Sequence, residues 1–350
     1  MNAPLPPIYF YIPPSFWPDD LPHTSDENWA GFGLGIYAWT VQTYLKLQDR
    51  GVDCQLTNQL PEEGIIFFHA NAARGAKIFP SSQRLLICLK AESVVCAQAQ
   101  LHVVQNPCEV GQGCHFIPHW PQPGLKPRPP QNRFKTISFL GHRHSLAPEL
   151  LAPDWQTQLE KRGLQWRPVI NTNRWNDAQS VDTRWNDYQT IDAIVAIRQF
   201  NLKRSGYGRK PATKLYNAWL AGVPAILGRE LAYRAEGTVG VDYLEANSMA
   251  ELLTYIDQLQ QNLELRKALI EAGYKRSQYY TSAAITQRWQ QFLDNVAIPA
   301  YHRWRECHPW QRQVQQWQAR LLNYRDRTRR KLSIRASAPI KSVDRNGQTS

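Results

Sequence analysis

The sequence contains no run of 18 or more apolar residues, so no segment is expected to cross a membrane as a helix. Its first residues, MNAPLPPIYFYIPP, carry neither a basic region nor a small-residue cleavage site, and no secretory signal is expected. Cysteine is sparse. Cys54, Cys88, Cys96, Cys108, Cys114 and Cys307 are scattered without a CxxC pair, which fits free thiols in a reducing cytosol and a cytoplasmic protein. Cys108, Cys114, His115 and His119 lack the spacing of zinc families, so no metal is expected there. Acids are also short: 29 Asp and Glu stand against 41 Lys and Arg, a formal net charge of +12. Most of that excess is local. Residues 301–350 hold twelve bases and three acids, 12 − 3 = +9, so the rest of the chain is close to neutral. Arg327 onward has the composition of a disordered segment.

What the sequence does have is material for two domains: 350 residues, 43% of them hydrophobic. Pro7–Ile12, Val52–Thr57, Gly64–His69, Leu85–Lys90 and Leu101–Gln105 read as strands. Gly31-Phe32-Gly33-Leu34-Gly35 opens a helix to about Arg50, with Gly51 as its stop. Strands spaced by helical or loop stretches indicate an α/β protein with parallel, doubly wound sheets. In such sheets ligands bind beyond the carboxyl ends of the strands. That rule singles out His69, Asn71, Glu92 and Asn106. His69 is a candidate general base, because an imidazole titrates near neutral pH. Glu92 is a candidate for the same role or for orienting an acceptor hydroxyl. Helix capping by His69 and Asn71, and a solvated Glu92, are the plain alternatives.

Pro118–Pro130 holds six prolines in thirteen residues and reads as a stiff interdomain linker. A second series of strands follows: Lys135–Leu140, ending at Gly141-His142-Arg143, then Gln165–Ile170 and Ile191–Ile197. Between the last two, Arg174-Trp175-Asn176-Asp177 is echoed by Arg184-Trp185-Asn186-Asp187, a pattern with no functional reading. Arg198 ends its strand, and Lys203, Arg204, Arg209, Lys210 and Lys214 follow around Gly206 and Gly208. A cluster of this kind can neutralise a diphosphate without a metal. A solvated basic loop is the alternative.

Pro211–Ala221 reads as a helix with one apolar face, Gly222 and Pro224 stop it, and Val223–Leu227 reads as a buried strand. Lys210 and Lys214 stand at the helix start, where free N–H groups favour an anion. The string KPATKLYNAWLAGVPAILG resembles the donor segment of GT-B glycosyltransferases, in particular the fucosyltransferase and exostosin style of that segment. It is also similar to the C-terminal domains of family 1-type enzymes. The resemblance covers roughly residues 130–300; residues 1–130 share only the expected topology.

This resemblance implies two Rossmann-like domains. Residues 1–117 are the expected acceptor-side domain, 118–133 the linker, 134–299 the nucleotide-sugar domain with closing helices, and 300–350 a basic, partly disordered tail. It implies a glycosyltransferase using a UDP- or GDP-type donor. Gly141, His142, Arg143, Arg198, Arg204, Lys210, Lys214, Asn217, Glu230 and Tyr233 would line the donor site. Gly33, Gly35 and Asn71 would form the acceptor-side cleft loop. Retaining families place a Glu near Asn217 and another eight residues earlier, where this chain has Arg209. Glu230 is the expected ribose partner instead. No Asp-x-Asp of metal-dependent sugar transferases is present, so no metal or other cofactor is expected. The tail, with Trp304, Trp310 and Trp317, is expected to meet an anionic membrane surface through residues 300–335. Nucleic acid has only the tail in its favour. A catalytically silent binding module and a GT-B-like sugar-nucleotide epimerase are the other readings.

Overall fold

The computed structural model describes residues 5–74, 76–171 and 183–337. The first copy of the Arg-Trp-Asn-Asp echo lies outside them. Two parallel sheets organise the molecule. The first runs β2-β1-β3-β4-β5-β6, built from β1 (Ile8–Tyr11), β2 (Gln55–Thr57), β3 (Gly64–His69), β4 (Arg84–Leu89), β5 (Leu101–Val104) and β6 (Cys114–Phe116). β3 and β4 are buried almost end to end, as expected of parallel strands covered on both faces.

The second sheet runs β13-β12-β11-β7-β9 and contains β7 (Thr136–Ser138), β9 (Gln165–Trp166), β11 (Ala193–Ala196), β12 (Ala225–Leu227) and β13 (Leu244–Glu245). β8 (Leu140–His142) and β10 (Val169–Asn171) form a separate parallel pair. The first two expected strands here, Lys135–Leu140 and Gln165–Ile170, are thus each broken in two, while Ile191–Ile197 remains one strand, β11. Pro168, which has no N–H to give to a ladder, marks the break between β9 and β10. β6 and β13 escaped the sequence reading because three and two residues are too short to show a period.

The expected glycine-rich helix entrance is a 3-10 turn, Ala30–Gly33, followed by α1 (Gly35–Trp39) and α2 (Val41–Gln48). α3 is Pro153–Glu160, and α4 spans Thr213–Ala221, two residues later than Pro211. Gly222 caps α4 at φ 67°, a left-handed conformation that costs glycine nothing. α5 (Leu231–Glu236) follows. α6 (Met249–Gln261) opens with a reciprocal capping box between Ser248 and Glu251, and α7 (Leu263–Ser277) succeeds it.

α8 (Ser282–Phe292) then crosses back to the first half. Ile285, Trp289 and Phe292 join Phe10, Phe67 and Trp39 in one buried cluster, with Trp289 edge-on to Phe67 at 5.8 Å. α9 (Ile298–Glu306) extends this cover, and Trp304 is buried, donating Nε1–H to the Ser81 carbonyl at 2.7 Å. α10 (Pro309–Ser337) is one 29-residue helix. It continues past Arg327, where the composition leads to an expectation of disorder, and contacts of Asn323 with the Val95 carbonyl and of Asp326 with Arg209 hold its preceding turns to the fold. Among the described residues, no helix is long and apolar enough to cross a membrane.

The proline-rich stretch is fixed to both halves. Trp120 is buried in the first half, giving Nε1–H to Thr43 at 2.8 Å, while Arg128 pairs with buried Asp192 of the second at 2.8 Å.

Candidate active site

Both sheets reverse their winding between their first and third strands, at β1/β3 and at β7/β11. A crevice opens at the carboxyl ends of such strands because neighbouring connections leave toward opposite faces. His69 ends β3 and Arg198 follows β11 by two residues, so each lies at its sheet's switch point.

On the second half, a glycine makes room for a cation. Gly141 has φ 150°, and a Cβ there would stand 3.1 Å from Lys214 Nζ and 3.2 Å from the Phe139 ring. The Lys214 ammonium sits 5.3 Å from the centre of that ring. Arg198 donates through one nitrogen to both oxygens of Glu230, at 3.0 and 3.1 Å, and lies 5.6 Å from the Tyr207 ring. Glu230 is 1% exposed. Lys210 pairs with Glu92 of the first half.

The electrostatics follow from this crowding. Burial, then the neighbouring Arg198 and Lys210 charges, pull the Lys214 ammonium down to about 7, against the attraction of Glu230 and Glu92. Burial raises Glu230, with Arg198 and Lys214 opposing. Burial also takes His142 down to about 4, helped by His144 and Lys214, so His142 is neutral at pH 7. The cluster sets three cations, Arg198, Lys210 and Lys214, against two carboxylates, Glu230 and Glu92.

The first half closes over this cluster. The His142 ring bonds the Gly33 backbone. Gln105 Nε2 donates to the Arg209 carbonyl at 2.9 Å, and Asn106 Nδ2 to the Lys210 carbonyl at 3.1 Å. His69 is buried, accepts the Asn71 N–H at Nδ1 (3.2 Å), and its Nε2 lies 3.7 Å from the Cβ position of Gly35. Gly33 thus meets His142, Glu92 meets Lys210, His69 meets Gly35 and Asn71, and Lys214 meets Gly141 and, through charge, Arg198 and Glu230.

Four further expected residues, Asn217, Tyr233, Arg143 and Arg204, lie around or away from these contacts. Asn217 is buried and holds the linker, accepting the Gln122 N–H at 3.0 Å. Tyr233 is buried in the core of the second half near Tyr243, and it lies close enough to Glu230 and Arg198 to feel both charges. Arg143, which opens a 3-10 turn, and Arg204, on a loop, are both exposed. Arg198 engages both carboxylate oxygens of Glu230, the expected ribose partner, each of which keeps a further lone pair. Arg209, on the basic loop, pairs with Asp326 of α10 and lies 3.9 Å from Glu109.

The sequence reading missed His144, stacked on His142 at 5.4 Å and electrostatically coupled to Lys210, Arg198 and Glu92. Its position two residues beyond His142, after the same strand, was an available signal. Gln105 and Asp326 had none, since nothing local ties them to Arg209. Among the described residues no group of three or more His, Cys, Asp or Glu could hold a metal ion.

No protein-family model matches this sequence, and no curated protein does. Solved structures resemble it. Sucrose-phosphate synthase from Thermosynechococcus elongatus aligns over 83% of this chain and 99% of its own, at 12% identity and a TM-score of 0.54. Anabaena HepE in complex with UDP-glucose aligns over 83% and 100%, at 12% identity and a TM-score of 0.48. AviGT4, a glycosyltransferase involved in avilamycin A biosynthesis, aligns over 87% and 98%, at 12% identity and a TM-score of 0.48. With its two parallel, doubly wound sheets and its returning C-terminal helices, the chain has the GT-B fold.

Proposed function

We propose that the protein is a metal-independent glycosyltransferase that moves a sugar from a nucleotide-diphosphate donor, of UDP or GDP type, to an acceptor hydroxyl. The observation that carries this reading is the cation cluster of Arg198, Lys210 and Lys214 beside Gly141, at the switch point of the second sheet of a GT-B fold. The donor's diphosphate lies over Gly141, against Lys214 and the start of α4. As the glycosidic bond to the diphosphate breaks, negative charge grows on the leaving oxygen, and fixed cations stabilise it in the transition state. Each charge-assisted contact is worth about 1.5–3 kcal/mol. The donor also competes with Glu92 for Lys210, which releases a carboxylate on the acceptor side. His69 or Glu92 then takes the proton of the acceptor hydroxyl. The basic C-terminal region serves as a peripheral anchor on an anionic membrane.

A panel of nucleotide-sugars, tested first by thermal shift and then for release of the nucleoside diphosphate, checks the reading. Stabilisation by one donor, with turnover once acceptor is added, is expected. Binding without turnover points to a silent module, and isomerised nucleotide-sugar to an epimerase.

A further inference from the structure

The amphipathicity of α10 is inverted relative to its own fold. Trp310, Val314, Trp317, Leu321 and Tyr324 recur at steps of four, three, four and three, which places them on one stripe of the helix. All five are exposed, from 46% at Val314 to 69% at Trp317 and Tyr324. The side turned toward the protein is mostly polar instead, with Ala319 and Leu322 its half-buried apolar residues. There Arg312 donates to the Trp304 carbonyl at 3.2 Å, Asn323 bonds the Val95 carbonyl, and Asp326 accepts the Val95 N–H at 2.9 Å while pairing with Arg209. Hydrophobic burial within the chain therefore does not explain the stripe.

The flanks name what covers it. At 100° per residue, Arg320 and Arg327 fall on one side of the stripe, and Arg325 and Arg329 on the other. The Arg320 guanidinium lies 5.5 Å from the Trp317 ring centre. Pro309–Ser337 contains eight bases and one acid, 8 − 1 = +7, and that acid, Asp326, is already engaged by Arg209. A second copy seated on the stripe would bring Arg320, Arg325 and Arg327 against their counterparts, with no acid opposite them; like charges at those flanking positions repel. An anionic phospholipid surface meets both needs at once. Its interface accepts Trp, Tyr and Leu, and its phosphates accept arginine N–H groups.

We propose that Trp310, Val314, Trp317, Leu321 and Tyr324 are the face by which this protein lies on an anionic phospholipid surface. The inference rests on the anchor reading and sharpens it: buried Trp304 takes no part, and α10 lies flat. Because α10 is bonded to Val95, three residues past Glu92, and to Arg209, next to Lys210, the docked surface borders the cleft. The acceptor would then arrive from the membrane plane.

Vesicle flotation of the full chain tests this. The parent is expected to float with mixed phosphatidylserine–phosphatidylcholine vesicles and not with phosphatidylcholine alone. The double variant Trp317→Gln/Leu321→Gln is expected to lose about tenfold or more in partitioning, while nucleotide binding and melting temperature stay at parent values. A control changing exposed aromatics elsewhere, Tyr274→Gln/Tyr279→Gln, is expected to float like the parent. If the Trp317/Leu321 variant floats as well as the parent, the stripe is not the docking face, and the anchor reading survives without it. If the parent stays at the bottom with anionic vesicles, both fall. A parent dimer by light scattering that the same variant converts to monomer would assign the stripe to a second copy and overturn the proposal.

Discussion

The two halves share a winding order and differ in what they place at its switch point. The first ends in groups that are neutral or paired across the cleft: His69 buried against Gly35, Asn106 bonded to the Lys210 backbone, Glu92 on Lys210. The second ends in crowded cations, with only Glu230 buried among them. Topology thus supplies a crevice twice, and residue type decides its chemistry. A parallel sheet provides an opening wherever adjacent connections diverge, whatever side chains stand there. Only the second half combines a glycine, a helix start and three long cations at that opening.

The largest expected effect tests whether the cations of the second half are structural as well as functional. Arg198→Ala strands Glu230, 1% exposed, without its partner, and loss of about 3–5 kcal/mol is expected in denaturant unfolding. Glu92→Gln across the cleft removes a partly exposed pair and is expected to change stability by about 1 kcal/mol or less. Equal losses in the two variants would erase the contrast between the halves.

Next in size, Lys214→Ala is expected to weaken UDP or GDP binding by roughly tenfold or more, about 1.5 kcal/mol or above, with little change in melting. Parent-like affinity by calorimetry would move the anion site elsewhere. The same lysine predicts a pH dependence. Its ammonium is held down to about 7 in the free protein by burial and by Arg198, and a bound diphosphate raises it again. The charged form binds, so affinity is full below about pH 7 and falls as pH rises above it, by up to about tenfold per unit. Titrations from pH 6 to 9 read this slope, and Lys214→Met is expected to flatten it. The smallest effect is none: excess EDTA is expected to leave turnover unchanged. Loss restored by manganese would return the diphosphate's charge compensation to a metal.

Much of this architecture was legible in the chain. β3 is a six-residue apolar run and was located residue for residue. Gly222 and Pro224 announced the end of α4, since neither its conformation nor its missing N–H suits a continuing helix. Lys210, Lys214 and Arg198 were legible as a cluster because sixteen residues of sequence keep them close. Asn217 shows the limit of such reading: position inside a donor-like helix does not say which partner a side chain takes, and here it takes the Gln122 N–H.

Local pattern thus determined the longer strands and helices, where the cations concentrate, and that the tail is basic, because these depend on neighbours within a few residues. Tertiary structure alone decided that Arg198 takes both oxygens of Glu230, that Glu92 reaches Lys210, and that Asp326 fastens α10 to Arg209. These partners lie 32, 118 and 117 residues apart, and no short-range rule connects them. The same holds for α10. The sequence prescribes its two faces, but only packing against Val95 and Arg209 determined that the polar face turns inward and leaves the tryptophans outside.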